Sequence, residues 1–326
     1  MNSFDVVTIG SATRDVFLRS GAMRIVRDDH FSTGEAECFA LGSKIEVDKI
    51  VFDTGGGATN TAVGFSRLGF RTRFIGRIGA GDSRGQAVLR DLRQAGVDVA
   101  RVVLDRRRMT AYSAILLTPR GERTVLIYRG ASEHLRPADI RWAGWNAQWL
   151  YVTSLGGHFG LHRAIWSAAR RRGIRVVWNP GSSELRFGYR RLRPFFQRTD
   201  ILHLNHEEAT ALFGLHPLQE RVAFERLRLD AGGVVVITSG TEGSLAGDAH
   251  HGWRGGTHPI KVVDATGAGD AFGCGFTAMF IRSGGHIPRA LQFANANAES
   301  VIQHIGAKAG LLRRLHLRHP ASVSRL

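Results

Sequence analysis

The densest concentration of potential chemistry lies in the run Asp264-Ala-Thr-Gly-Ala-Gly-Asp270, followed by Ala271 and Phe272. Glycines that open a helix let backbone N–H groups approach a ligand at the positive end of the helix dipole, so Gly267, Ala268 and Gly269 describe an anion hole. Asp270, in the first turn, stands where a carboxylate can take a proton from a hydroxyl that attacks a phosphoryl group held by those amides. A second interpretation of the same residues remains open, in which the glycines serve helix packing and Asp270 is a first-turn acid stabilised by the dipole. A dinucleotide fingerprint fails because Phe272 stands where its third glycine belongs, and no Gly-x-x-x-x-Gly-Lys-Ser/Thr loop occurs in the chain.

These residues need elements to carry them. Phe4 to Gly10 reads as a strand, followed from Asp15 to Phe52 by a segment without helical period but with strand-like alternation, as in Lys44 to Phe52. Residues 58–68 read as a helix, Thr72 to Ile78 as a strand, and Ser83 to Gln94 as a helix ended by Gly96. Two further strands, Ala111 to Thr118 and Arg123 to Tyr128, are joined through Pro119-Arg120-Gly121 in a hairpin able to pair with the early strands. Beyond them, strands over 149–153, 174–178, 200–204 and 233–238 alternate with helices over 159–171, 206–213 and 218–230. Helices over 269–283 and 288–304 precede an arginine-rich tail from Leu311. Short apolar strands between helices imply an α/β fold, with a mostly parallel central sheet covered on both faces and a small β-sheet appended. No repeat or linker divides the chain, so a single domain over 1–326 is expected.

Composition narrows the classes. The 326 residues carry 44 Lys plus Arg against 28 Asp plus Glu, a formal net charge of +16. The only lysines are Lys44, Lys49, Lys261 and Lys308, and the arginines are scattered, so no nucleic-acid partner is expected and the excess reads as solvated surface. Cys38 and Cys274 have neither disulfide-framework nor zinc spacing. The N-terminus runs straight into a strand pattern and no segment reaches bilayer length, so no membrane association and a cytoplasmic location are expected. Trp142, Trp145 and Trp149 read as packing, and His203 as a histidine with its hydrogen bonds satisfied.

The run from Asp264 to Phe272 closely resembles the C-terminal motif of the ribokinase, or PfkB-type, carbohydrate kinases. Gly55-Gly-Gly-Ala-Thr-Asn60-Thr-Ala, with Arg67-Leu-Gly69 and the strand reaching Gly76 and Gly79, resembles a second motif of that family. Asn205-His-Glu-Glu208 resembles its Asn-x-x-Glu motif, and Thr238-Ser-Gly240-Thr-Glu-Gly243 its nucleotide-binding turn. The resemblance spans Gly10 to about Ala307. It implies a ribokinase-like fold in which a lid, formed from about 15–52 and 108–130, covers the substrate.

Several roles follow by position from the resemblance. Asp270 would be the base, with the amides of Ala268, Gly269 and Asp270, after Gly267, receiving the charge of the transferring phosphate. Asp15, Gly56, Gly57 and Asn60 would grip substrate hydroxyls, although a lone acid after a strand, such as Asp15, is also a turn-former. Asn205 and Glu208 would orient water around the Mg²⁺ that accompanies ATP, and the same pair has the spacing of a capping box. Thr238, Gly240 and Gly243 would line ATP, with Asn295 beside its adenine. Asp264, Thr266 and Gly306 would bind a monovalent cation, K⁺. The implied activity is transfer of the ATP γ-phosphoryl to a hydroxyl of a small sugar or sugar acid, by a monomer or by a homodimer joined through the lid. A nucleoside kinase is the alternative within the family, and a non-catalytic arginine-rich nucleic-acid-binding protein the alternative from another class.

Overall fold

A computed structural model describes residues 3–28, 30–31, 34–118, 123–142 and 145–326. Its centre is a nine-stranded sheet. Six strands run parallel, in the spatial order Thr72–Ile75, Phe4–Ile9, Ala147–Val152, Arg175–Trp178, Ile201–Asn205 and Val234–Thr238. Three antiparallel strands, Ser244–Gly247, Gly252–Gly255 and Val323–Arg325, extend the edge beyond Val234–Thr238.

The strand Val234–Thr238 shows why these runs become strands. Its β-branched residues suit a pleated surface, and successive side chains enter opposite cores. Val234 and Val236 pack with Trp149, Tyr151 and Phe276 on one face, whereas Val235 and Ile237 pack with Leu150, Val152 and Trp178 on the other. Helices Gly57–Arg67, Ala268–Arg282 and Ile287–Val301 contribute to the first core. Helices Phe159–Arg171, Tyr189–Phe196 and Glu220–Asp230 contribute to the second. Burial on both faces explains the unbroken apolar runs.

A separate four-stranded sheet stands beside the central one, in the order Arg123–Tyr128, Ala111–Leu117, Thr13–Arg19 and Lys49–Gly55. Ala111–Leu117 pairs in parallel with Thr13–Arg19, which joins the two segments that the alternation had marked. The intervening residues Arg24–Arg27 and Glu35–Cys38 form a two-stranded hairpin of their own rather than extending this sheet. The expected turn at Pro119-Arg120-Gly121 lies outside the described residues. Among the described residues, no helix is long and apolar enough to cross a membrane.

Candidate active site

Helix Ala268–Arg282 begins between two cavities. Gly267 at its N-cap has φ +79°, and a Cβ there would lie 2.4 Å from the Ala307 Cβ, so the tight entry into the helix requires glycine. Gly267 and Asp270 face a cavity of 280 Å³ also lined by Asp15, Gly56, Gly57 and Asn60. Ala268 and Gly269 face a cavity of 610 Å³ also lined by Thr238, Gly240, Gly243 and Asn295. One helical turn thus separates the two sets of residues that the sequence singles out.

The smaller cavity is polar at its base. Asp270 Oδ2 accepts a 2.7 Å hydrogen bond from the Asn60 Nδ2 group. Asn60 sits in helix Gly57–Arg67, whose entry at Gly56 has φ +100°, and a Cβ there would lie 2.5 Å from the Ser11 carbonyl oxygen. Asn60 Oδ1 is buried without a hydrogen-bond partner among the described residues, an acceptor that a ligand hydroxyl would satisfy. Asp15 Oδ1 accepts from Thr13 Oγ1 at 2.9 Å, and the Ser113 hydroxyl also bonds its carboxylate. Ile115, Val125 and Ile127 of the small sheet form an apolar flank.

Burial dominates the electrostatics. Desolvation pushes Asp270 up to about 6, against the lowering effect of the Asn60 hydrogen bond and with a smaller contribution from Asp15. Asp270 is still mostly ionised at neutral pH, yet its basicity exceeds that of an ordinary aspartate. Asp15 is also raised, chiefly by burial, while its hydroxyl partners hold it down.

Asp264, at the other end of the run, has a different environment. It is fully buried, and its carboxylate accepts from the Thr266 amide at 2.9 Å, the Thr266 hydroxyl at 2.6 Å and the Gly306 amide at 2.9 Å. The three residues expected around a cation are therefore together. Their observed contacts tie the start of the run to the loop after helix Ile287–Val301.

The larger cavity has apolar walls, including Ile260, Phe272, Ala298 and Ile302. A Cβ on Gly269 would meet nothing within 4 Å, which marks the open space over the first turn of the helix. Amides at a helix N-terminus beside an apolar slot of this size fit a nucleotide, with phosphates at the helix and base between the walls. Asn295 contributes to the wall, but its amide is engaged: Nδ2 donates to the Gly256 carbonyl and Oδ1 accepts from Ser244.

Asn205 and Glu208 form a capping box on helix His206–Ala211: the Glu208 amide donates to Asn205 Oδ1 at 2.7 Å, and the Asn205 amide to Glu208 Oε2 at 2.9 Å. Neither lines either cavity. Among the described residues, no group of three or more His, Cys, Asp and Glu side chains could hold a metal ion. His203 differs from expectation. Strand alternation turns it into the core against the Phe272 ring, where among the described residues both ring nitrogens lack partners and burial lowers its pKa to about 4, so it is neutral.

Sequence reasoning missed Ser113, although a serine on the buried face Ala111, Ser113, Ile115, Leu117 is a usable signal. It also missed Arg123, which lines the smaller cavity, and Glu299, which receives His258 Nδ1 at 2.9 Å beside the larger one. Nothing local marks those two residues, because each depends on distant chain segments meeting.

Comparison with known proteins agrees with this fold. The model of the pfkB family of carbohydrate kinases matches residues 6–313. The chain is 30% identical over 259 residues, 78% of its own length and 82% of the relative's, to an ATP-dependent ribose-1-phosphate kinase of Halopiger xanaduensis. To a fructokinase of Klebsiella pneumoniae it is 32% identical over 240 residues, covering 69% of this chain and 76% of that protein. The crystal structure of adenosine kinase from Sinorhizobium meliloti superposes with a TM-score of 0.75 at 27% identity, over 95% of this chain and 98% of that one.

Proposed function

This chain belongs to the pfkB family of carbohydrate kinases and is an ATP-dependent kinase of the sugar and nucleoside class; from that premise we propose that Asp270 is its catalytic base and that the acceptor is a hydroxyl of a small sugar or sugar derivative. The observation that carries this reading is the position of Asp270 where the two cavities meet, bonded to Asn60 on one side and one residue from the open Gly269 on the other.

MgATP, when bound, supplies the γ-phosphoryl group. Asp15 and Asn60 hold acceptor hydroxyls, with the unpartnered Asn60 Oδ1 accepting from one of them. Asp270 takes the proton of the reacting hydroxyl, and Asn60 fixes the carboxylate so that one oxygen remains directed at that proton. The Gly269 and Asp270 amides receive the negative charge of the transferring group, while the Ala268 amide is partly occupied by the Ala265 carbonyl at 3.3 Å. The small sheet, as a lid, excludes water. Asn205 and Glu208 act on Mg²⁺ through water, because their side chains also hold the helix cap. A monovalent cation near Asp264 would rely on that carboxylate's remaining lone pairs and on backbone carbonyls.

Two arginines favour an acceptor with an acidic or phosphorylated substituent. Arg123 and Arg129 both line the smaller cavity; among the described residues Arg129 pairs with Glu133 at 3.2 Å, whereas Arg123 makes no ion pair. A nucleoside acceptor is the second reading, favoured by the apolar flank of Ile115, Val125 and Ile127, against which a base would pack. The deciding experiment measures ADP release from MgATP with sugars, sugar acids, sugar phosphates and nucleosides, each with and without K⁺. Turnover with an anionic sugar supports the first reading and turnover with nucleosides alone the second. Absence of acceptor-dependent ADP release across all four classes would reject the acceptor proposal.

A further inference from the structure

A third cavity, of 250 Å³, lies farther along the inner face of the small sheet. Its apolar floor is formed by Phe17, Leu117 and Ile305, and its rim carries Arg19, Lys49 and Lys261. Among the described residues none of these three cations makes an ion pair or a side-chain hydrogen bond, whereas Lys308 is buried against Asp53 and Asp91. Arg19 and Lys49 are moreover direct cross-strand partners in the antiparallel pair. Like charges in that relation repel and weaken the sheet, and Lys261 adds a third positive charge from the facing loop. Among the described residues, the lining contains no carboxylate to offset them.

We propose that this cavity is a binding site for a small phosphate-type polyanion, one whose charges bridge the sheet residues Arg19 and Lys49 to Lys261. Three cations match the charge of a pyrophosphate or of a doubly charged phosphate ester better than that of a single carboxylate. The site also has a route to the reaction centre. Val262, next to Lys261, lines both this cavity and the nucleotide cavity, and the strand that ends in Arg19 carries Asp15 on the same face. An anion in the gap removes the repulsion that holds sheet and loop apart, and so favours closure of the sheet over both substrates.

Titration calorimetry with inorganic pyrophosphate on the full chain, without Mg²⁺ and with ADP saturating the nucleotide cavity, tests the site independently of any acceptor or turnover. Pyrophosphate should bind the wild-type protein, and the double variant Lys49→Gln/Lys261→Gln, altered only at exposed side chains, should bind it about tenfold or more weakly. Arg24→Gln, on the separate hairpin, should bind as the wild type does. Absence of pyrophosphate binding, or equal affinity in the double variant, would overturn the proposal, as would a comparable loss in Arg24→Gln. Because binding is measured directly, these outcomes do not depend on the assignment of Asp270.

Discussion

Asp264 and Asp270 are identical residues six positions apart in one glycine-rich run, and the fold treats them in opposite ways. Asp264 is enclosed by three donors from Thr266 and Gly306. Asp270 is desolvated, accepts from Asn60 as its single side-chain donor among the described residues, and faces a cavity. A buried carboxylate that accepts several hydrogen bonds holds its donors in place, while one left short of donors is basic and costs stability. The difference identifies which end of the run anchors the loop and which end is available for proton transfer.

Stability should separate the two first. Asp264→Ala removes the acceptor of three donors, one of them the buried Gly306 amide, and denaturant unfolding should show a loss of about 2–4 kcal/mol. An Asp264→Ala protein with unchanged stability would break the contrast from the structural side.

Asp270→Asn should move in the other direction. The folded state raises the Asp270 pKa from 3.8 to about 6, so it holds that proton more tightly than the unfolded chain does. The group's contribution to stability therefore falls as pH rises from about 4 through about 6, and its cost is complete above that. Removing the charge should stabilise the ligand-free protein by up to about 3 kcal/mol at pH 8, with almost no difference at pH 4. Unfolding curves at the two pH values check this; a destabilised variant at pH 8 contradicts the assigned electrostatics.

A finer probe is Asn60→Ala. Loss of this side-chain donor to Asp270 should shift the acidic limb of kcat/KM upward from near pH 6 by about one unit, while a stability change alone would leave the limb in place. Asp264→Ala should not move that limb, whatever it does to the amount of folded protein.

How much of this was legible beforehand follows from how local each signal is. The six parallel strands and the long helices announce themselves through β-branched runs such as Val234–Thr238 and through caps and periodicity, all within one segment. The antiparallel edge does not. Ser244–Gly247 and Gly252–Gly255 are four residues each and carry glycine at their ends, with Trp253 their one strong strand former, and Val323–Arg325 lies in an arginine-rich tail. They become strands because a neighbouring edge is available, which is tertiary information.

The site divides in the same manner. The glycines at 55–57 and 267 could be recognised because close backbone approach demands those residues at those positions. That Asp264 would be sealed by Gly306, or that Arg19, Lys49 and Lys261 would face one another, depends on segments far apart in sequence. Spacing alone could not choose between a cap and a metal role for Asn205 and Glu208, whereas the hydrogen bonds show the cap directly.

The central claim concerns Asp270, and one comparison tests it most directly: turnover and ATP affinity of Asp270→Asn beside the wild type, with the best acceptor from the screen. The account predicts turnover reduced about a thousandfold or more, with ATP binding by calorimetry changed by no more than about threefold. Turnover near the wild-type rate in Asp270→Asn would contradict it.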